Sequence, residues 1–124
     1  MSFAALRRPA RDATPAIDCA SVPAEDLVKQ AENASNFLKA LSHEGRLMIL
    51  CHLTSGEKSV TELETLLGSR QAAVSQQLAR LRLEGLVSCR RDGKAIYYAL
   101  SDPRAQRMMG LIHEMFCGDL PNTQ

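Results

Sequence analysis

The polar side chains between Arg70 and Leu86 are the best candidates for chemistry in this sequence. They are Arg70, Gln71, Ser75, Gln76 and Arg80. Glutamine and arginine can form paired hydrogen bonds with base edges in the major groove of DNA. We predict that Gln71, Ser75 and Gln76 contact bases, with Gln76 first among them. Arg70 and Arg80 are expected to hold phosphates instead. The alternative is a surface helix whose polar face only meets solvent.

Helical periodicity positions these side chains. Apolar residues recur at one-turn spacing along the same stretch, which predicts a helix from Arg70 to Leu86 with one buried stripe. The stripe consists of Ala73, Val74, Leu78 and Leu81. A shorter helical run from Val60 to Leu67 precedes this helix, and Gly68 supplies the turn between the two. Two helices joined by a tight turn are typical of a helix-turn-helix, whose second helix enters the major groove.

A β-hairpin is predicted directly after this helix. Leu86–Cys89 and Ala95–Leu100 are rich in β-forming residues, and the dipeptide Asp92-Gly93 between them is a strong hairpin signal. The cations around the turn are Arg90, Arg91 and Lys94. They would form a basic wing that follows the phosphate backbone. A hairpin that carries these charges only for solubility is the alternative.

Three further helices complete the predicted fold. The first runs from about Glu25 to Leu41, and the second begins with Ser42 as its N-cap and is closed by Gly56. The last runs from Pro103 to Phe116 and has more apolar residues than one small core can cover. We therefore expect a mainly α winged helix-turn-helix with a small β-hairpin. The excess apolar surface predicts a symmetric homodimer through the first and last helices.

Length and composition agree with one soluble domain. The 124 residues are 45% hydrophobic and 23% charged, which allows a stable core without disulfides. We place the domain at residues 24–118, between a flexible N-terminal tail (1–23) and a C-terminal tail (119–124). The net charge is only +1, but residues 69–94 carry six cations against two anions. This local excess predicts a binding surface for double-stranded DNA.

Other classes of protein fit the sequence less well. No apolar run is long enough to span a membrane and no secretory segment follows Met1, so we expect a cytoplasmic protein with no membrane partner. A phosphate-binding glycine loop, a nucleophile elbow and a His-Glu-x-x-His run are all missing, so we do not expect an enzyme. A dimeric interaction module that has kept the fold and lost DNA binding remains as an alternative.

Four segments carry a family resemblance. LSHEGRLMIL, VTELETLLG, RQAAVSQQLARLRLEGLV and RRDGKAIYYAL, together with their order, resemble the ArsR/SmtB family of bacterial winged-helix repressors. The resemblance runs from about Leu27 to Phe116. It implies a homodimer that binds operator DNA in its resting state and leaves the DNA when an inducer binds.

Metal ions are frequent inducers in that family, but the ligand positions differ here. The arsenic and cadmium sensors have cysteines before the recognition helix, where this chain has Ser59-Val60-Thr61. The zinc sensors use paired ligands on the last helix, where His113 and Glu114 are neighbours that point about 100° apart. We therefore expect no metal or other cofactor. A haem or zinc site that uses Cys51 with His52, or Cys117 with His113, stays open as an alternative.

Cys51 and Cys117 carry a second resemblance. Their places, near the end of the second helix and at the end of the last, resemble the persulfide-sensing repressors of the SqrR/BigR type. That resemblance implies that persulfides or polysulfides act as the inducer and bridge the two cysteines. The alternative for Cys51 is a small buried hydrophobic residue. Cys19 has no evident partner in the sequence, and we expect Cys89 to be a strand residue without a redox role.

Overall fold

The computed structural model describes residues 19–68 and 71–120, so Arg70 and most of the predicted N-terminal tail lie outside the described residues. Within these ranges the chain forms five α-helices and three β-strands. They are a short 3-10 turn (Cys19–Ser21), α1 (Ala24–Leu41), α2 (Glu44–Leu53), β1 (Lys58–Ser59), α3 (Val60–Leu67), α4 (Gln71–Leu83), β2 (Val87–Asp92), β3 (Ala95–Leu100) and α5 (Pro103–Cys117). The chain divides inside α1 into units Met1–Asn33 and Ala34–Gln124. None of the described helices is long and apolar enough to cross a bilayer.

Short-range capping explains why α3 begins and ends where the sequence predicts. Ser59 Oγ accepts a hydrogen bond from the Glu62 N–H (3.0 Å), and Glu62 Oε1 accepts one from the Ser59 N–H (2.8 Å). This reciprocal pair satisfies two N–H groups at the start of the helix. Gly68 ends the helix with a φ of +64°, a conformation that glycine adopts without strain. The predicted helix and turn are confirmed.

The start and end of α2 differ from the prediction. The Ser42 N–H donates to the Lys39 carbonyl, so Ser42 belongs to the closing turn of α1. His43 is the N-cap instead, because its Nδ1 accepts a hydrogen bond from the Gly45 N–H at 3.0 Å. The helix ends at Leu53, and Gly56 lies in the turn that follows. The predictions that Ser42 caps α2 and that Gly56 closes it were therefore wrong.

The hairpin is longer than predicted and belongs to a three-stranded antiparallel sheet. β2 pairs with β3 from Val87 opposite Leu100 to Asp92 opposite Ala95, so only Gly93 and Lys94 form the turn. Arg90, Arg91 and Asp92 were predicted in the turn and lie in β2 instead, because the tight two-residue turn lets pairing continue to its edge. β1 pairs with the other side of β3 and gives the strand order β1-β3-β2.

One hydrophobic core joins the sheet to all five helices. Its buried members are Ala40, Leu41, Ile49, Leu50, Leu53, Leu63, Val74, Leu78, Leu81, Leu86, Val87, Ala105 and Met109. The stripe predicted on α4 is confirmed at Val74, Leu78 and Leu81. Ala73 is exposed, because the core covers only a narrow sector of the helix. Helix α4 ends at Leu83, before the predicted end. The helix-turn-helix followed by a hairpin is a winged helix, as predicted.

Candidate nucleic-acid interface and dithiol cleft

Helix α4 presents the predicted base-reading side chains to solvent. Ser75, Gln76 and Arg80 are exposed, while the core holds the helix through its buried stripe. Arg80 Nε lies 3.3 Å from Glu84 Oε2, one helical turn further along. Exposed pairs of this kind contribute little to stability and can exchange partners. The side chain of Gln71 is not described, although its backbone begins the helix.

The three cations of the wing differ in their surroundings. Arg90 donates through Nε to Glu57 Oε2 (3.1 Å) and through Nη2 to Glu57 Oε1, and its guanidinium lies 4.7 Å from the centre of the Tyr97 ring. The Arg90 hydrogen bonds hold the pKa of the Glu57 carboxyl below its usual range. Arg91 and Lys94 are exposed and form no ion pair with any side chain in residues 19–68 and 71–120. Arg91 and Lys94 are therefore the wing cations that remain unpaired within these ranges.

Glu57 is a functional candidate that sequence reasoning missed. It lies in the short connection before β1, far from Arg90 along the chain. Because β3 lies between β1 and β2, the Arg90 side chain crosses β3 over the Tyr97 ring to reach Glu57. Strand β1 has only two residues, and a run that short leaves no periodic signal in the sequence.

The structure brings Cys51 and Cys117 to one cavity, which we call the dithiol cleft. It has a volume of about 170 Å³ and is lined by Leu47, Met48, Cys51, Met109, Ile112, His113 and Cys117. Cys51 comes from α2 and is exposed, whereas Cys117 is the last residue of α5 and is half-buried. Both are free thiols. Apart from these thiols and His113, the walls are apolar, so Cys51 lies in an open cleft and not in the core.

Histidine and acidic side chains do not gather into a metal site within the described ranges, where no three potential ligands are grouped. Ser59 uses its hydroxyl to cap α3. His113 and Glu114 are both exposed on α5. His113 lines the dithiol cleft one helical turn before Cys117, so an imidazole shares this cleft with the two thiols.

Cys89 lies in the sheet and does not line the dithiol cleft. Cys89 is half-buried in β2, directly opposite Tyr98 on β3. Burial raises the pKa of the Tyr98 hydroxyl, and the neighbouring Cys89 raises it further. Cys19 belongs to the turn before α1, and its side chain is not described.

Helix α5 and the end of α1 expose several large apolar side chains. The large exposed apolar side chains on them are Leu38, Leu111, Met115 and Phe116, with Phe116 74% exposed. Beside them lies an open cavity of about 460 Å³ lined by Phe37, Arg104, Arg107, Met108 and Leu111. The Arg104 guanidinium lies 5.0 Å from the centre of the Phe37 ring. Exposed apolar side chains are typical of an interaction site when they form one contiguous patch.

Comparison with known proteins gives a consistent family. The family model described as bacterial regulatory protein, arsR family, matches residues 43–88, from the N-cap of α2 to β2. The biofilm growth-associated repressor of Xylella fastidiosa is 44% identical over 93 residues, which are 75% of this chain and 82% of that protein. The transcriptional activator HlyU of Vibrio cholerae is 40% identical over 93 residues, or 75% of this chain and 86% of that protein.

Solved structures lead to the same group. The crystal structure of the transcriptional repressor BigR from Xylella fastidiosa superposes on this chain with a TM-score of 0.72 at 40% identity. The superposition covers 82% of this chain and 100% of the BigR chain. Reduced HlyU from Vibrio cholerae superposes on this chain with a TM-score of 0.73 at 40% identity. The superposition covers 75% of this chain and 98% of the HlyU chain. These relatives are DNA-binding transcriptional regulators and not enzymes.

Proposed function

Because the chain belongs to the arsR family of bacterial regulatory proteins, we propose that reactive sulfur species control this transcriptional repressor through Cys51 and Cys117. In the reduced state the dimer binds operator DNA. A persulfide or polysulfide bridges the two cysteines, and the bridged protein leaves the operator. The observation that carries the proposal is that both free thiols line the dithiol cleft although they come from different helices.

The chemistry needs only thiolates and a persulfide, R–S–SH. The thiolate of one cysteine attacks the outer sulfur, breaks the S–S bond and releases RS⁻, which leaves that cysteine as Cys–S–SH. A second transfer converts the other cysteine in the same way. The anion of one Cys–S–SH then attacks the Cβ-bonded sulfur of the other, releases HS⁻ and closes a trisulfide. The persulfide supplies all the oxidising equivalents, so no other oxidant is consumed.

Inserted sulfur gives a physical basis for selectivity. An ordinary disulfide requires its two Cα atoms to lie within about 7 Å, whereas an inserted sulfur atom lengthens the reach of the bridge. Peroxide can oxidise a thiol but has no sulfur to insert. If the Cα atoms of Cys51 and Cys117 lie beyond that reach, persulfides close the bridge and peroxide leaves the two cysteines unjoined.

DNA recognition is assigned to α4 and the wing. Gln71, Ser75 and Gln76 contact base edges in the major groove. Arg70, Arg80, Arg91 and Lys94 hold phosphates, and Arg90, which Glu57 already binds, anchors the wing and contacts the backbone when it exchanges that partner. Family members bind operators as dimers, which places two recognition helices about 34 Å apart on successive half-sites.

The dimer interface is assigned to the exposed apolar faces of α1 and α5. Helix α5 carries Leu111, Met115 and Phe116 on its exposed surface and ends at Cys117 in the dithiol cleft. A bridge to Cys51 ties this helix to α2. A small change in the tilt of α5 would therefore alter the spacing of the two recognition helices and weaken operator binding.

The test is operator affinity, measured by fluorescence anisotropy at one fixed salt concentration. The labelled duplex comes from the region upstream of the protein's own gene, and a scrambled duplex of equal length is the control. Reduced protein is compared with protein treated with glutathione persulfide, hydrogen peroxide, zinc or haem. We expect tight binding by reduced protein and release by persulfide alone.

Each other outcome contradicts a specific part of the proposal. Release by zinc without any effect of persulfide would mean that the cysteines act as metal ligands or as packing residues. Release by haem alone would favour the Cys-His pairs as ligands. Equal, weak binding to both duplexes would favour an interaction module that has lost operator recognition.

A further inference from the structure

Arg46, near the start of α2, joins three elements through one guanidinium. Its Nε donates to the Ala40 carbonyl, and its Nη2 donates to the Lys39 carbonyl at 3.2 Å. Its Nη1 donates to Gln77 Oε1 on the recognition helix at 3.0 Å. The two carbonyls lie in the last turn of α1, where the Lys39 carbonyl also accepts the Ser42 N–H and where a cation is favoured by the helix dipole. Arg46 therefore ties the end of α1 to α4.

Gln77 lies on α4 between a proposed base-reading residue and a residue of the core. It is half-buried, it follows the proposed base reader Gln76, and it precedes Leu78, which is fully buried in the core. A hydrogen bond at Gln77 restricts rotation of α4 about its own axis, because Leu78 already holds one side of the helix. Such a rotation would move Gln76 away from the base edges that it reads.

Arg46 is the strong hydrogen-bond partner of Gln77. Gln77 Nε2 lies 3.4 Å from His43 Nε2, but His43 Nδ1 already accepts the Gly45 N–H. A neutral imidazole with an accepting Nδ1 carries its hydrogen on Nε2, so Nε2 cannot also accept from the Gln77 amide. Glycine at position 45 leaves room for the His43 and Gln77 side chains. A Cβ there would lie 3.1 Å from His43 Cε1 and 3.8 Å from Gln77 Cγ.

The same helix connects Arg46 to the dithiol cleft. Leu47 and Met48 follow Arg46 directly and line the cleft, as does Cys51 near the other end of α2. A helix of ten residues is about 15 Å long and moves as a rigid rod. A bridge that displaces Cys51 therefore displaces Arg46 as well, and a hydrogen bond tolerates only a few tenths of an ångström before it weakens.

We propose that Arg46 is the positioning residue that couples the dithiol cleft to DNA recognition, an inference that rests on the proposed function. The Arg46–Gln77 bond holds α4 in the orientation that reads the operator. Bridging of Cys51 and Cys117 moves α2, releases Gln77 and frees α4 to rotate. This bond is the element with two states that a coupling mechanism requires.

The experiment compares Gln77→Met with Gln77→Glu in the full-length protein. Methionine keeps the length of the side chain and removes the acceptor, whereas glutamate keeps an acceptor for Arg46. We expect reduced Gln77→Met to bind the operator roughly 5- to 150-fold more weakly than the wild type, the usual range of an allosteric coupling. Its affinity for a scrambled duplex should be unchanged, and persulfide should weaken its operator binding little further. Gln77→Glu should keep the full persulfide response, although its added charge weakens binding to both duplexes equally.

Arg46→Met separates this role from direct contact of Gln77 with DNA. If the two side chains act as a pair, the double variant loses no more operator affinity than the more weakly binding of the two single variants. Additive losses would overturn the proposal, as would a Gln77→Met protein with wild-type operator affinity and full persulfide response. If Arg46→Met does not fold, the comparison of Gln77→Met with Gln77→Glu alone decides whether the Arg46–Gln77 bond supports operator binding.

Intact mass measurement in the same samples separates this proposal from the proposed function. If persulfide adds sulfur to Gln77→Met and consumes both thiols without changing DNA binding, the coupling role is supported. If wild-type protein binds the operator but never responds to persulfide, the dithiol function fails. In that case the operator preference of reduced Gln77→Met still decides whether Arg46 positions α4.

Discussion

Cys51 on α2 and Cys117 on α5 line the same apolar cleft, and both are free thiols. We predict that Cys51→Ser and Cys117→Ser both bind the operator as the reduced wild type does, within about twofold, since neither side chain is buried in the core. Neither variant can close a bridge, so neither should be released by persulfide. Anisotropy with and without glutathione persulfide measures both quantities.

Cys89→Ser is the matched control for this pair. Cys89 is a half-buried free thiol that lies opposite Tyr98 and does not line the dithiol cleft. We expect persulfide to release the Cys89→Ser protein from the operator as it releases the wild type. Normal release of either Cys51→Ser or Cys117→Ser would contradict a sensor that needs both thiols.

Gln76→Ala tests base reading by α4. Gln76 is exposed and the core does not hold it, so the substitution should leave the fold intact. We expect a loss of about 1–3 kcal/mol in binding to the operator and a much smaller loss on scrambled DNA, because only a base contact depends on sequence. Gln106→Ala, the same change at an exposed position of α5, should alter neither affinity. Equal losses on both duplexes would assign Gln76 to the phosphate backbone.

Glu57→Gln tests the state of the wing. The substitution removes the negative charge that binds Arg90 most closely, so Arg90 keeps only the longer ion pair from its Nη1 to Asp92 Oδ2 (3.7 Å) and becomes more available to a phosphate. We expect tighter binding to scrambled DNA and a salt dependence that is steeper by roughly one phosphate contact, about 0.9 in log–log slope. The measurement is anisotropy across a salt series.

Glu114→Gln makes the same change in net charge at an exposed site on α5. It should leave the slope of the salt series unchanged, since no wing cation is near it in sequence or pairs with it. An equal effect of both substitutions would show that total charge, and not release of Arg90, controls DNA affinity.

Substitutions of Asp102 test how much this N-cap stabilises α5 and how the stabilisation depends on pH. Asp102 Oδ1 accepts from the Arg104 N–H (2.8 Å), and its Oδ2 pairs with Arg104 Nη2 (2.7 Å). The Arg104 side chain holds the pKa of this carboxyl below its usual range. Because the folded state lowers the pKa, the stabilisation is complete above the ordinary aspartate value of about 3.9 and is lost as the pH falls further.

Two substitutions separate the cap from the charge. Asp102→Ala should lower the free energy of unfolding by about 1 kcal/mol through loss of the cap. Asp102→Asn keeps an acceptor for the cap, so its deficit relative to the wild type should be present near neutral pH and shrink below about pH 3.9. Urea unfolding over a pH series measures both. A deficit of Asp102→Asn that does not change with pH would contradict the ionic contribution of Arg104.

Features that depend on neighbours in the chain could be predicted from the sequence. The turn at Gly68 and the proline after Asp102 are short-range signals, and they place the end of α3 and the start of α5 correctly. The buried stripe of α4 follows from helical periodicity. The exposed side chains of Ser75, Gln76 and Arg80 follow from the same periodicity, because a residue opposite a buried stripe must face away from the core.

Contacts between distant residues required the tertiary structure. Periodicity carries no information on which helix ends meet, so it could not reveal that Arg46 binds Gln77 or that Glu57 binds Arg90 across β3. The sequence also predicted the wrong N-cap for α2. Ser42 belongs to the closing turn of α1, so His43 is the N-cap instead. The cleft shared by Cys51 and Cys117 exists only because α2 and α5 pack on the same core. Such packing depends on the whole set of buried side chains and not on any local stretch.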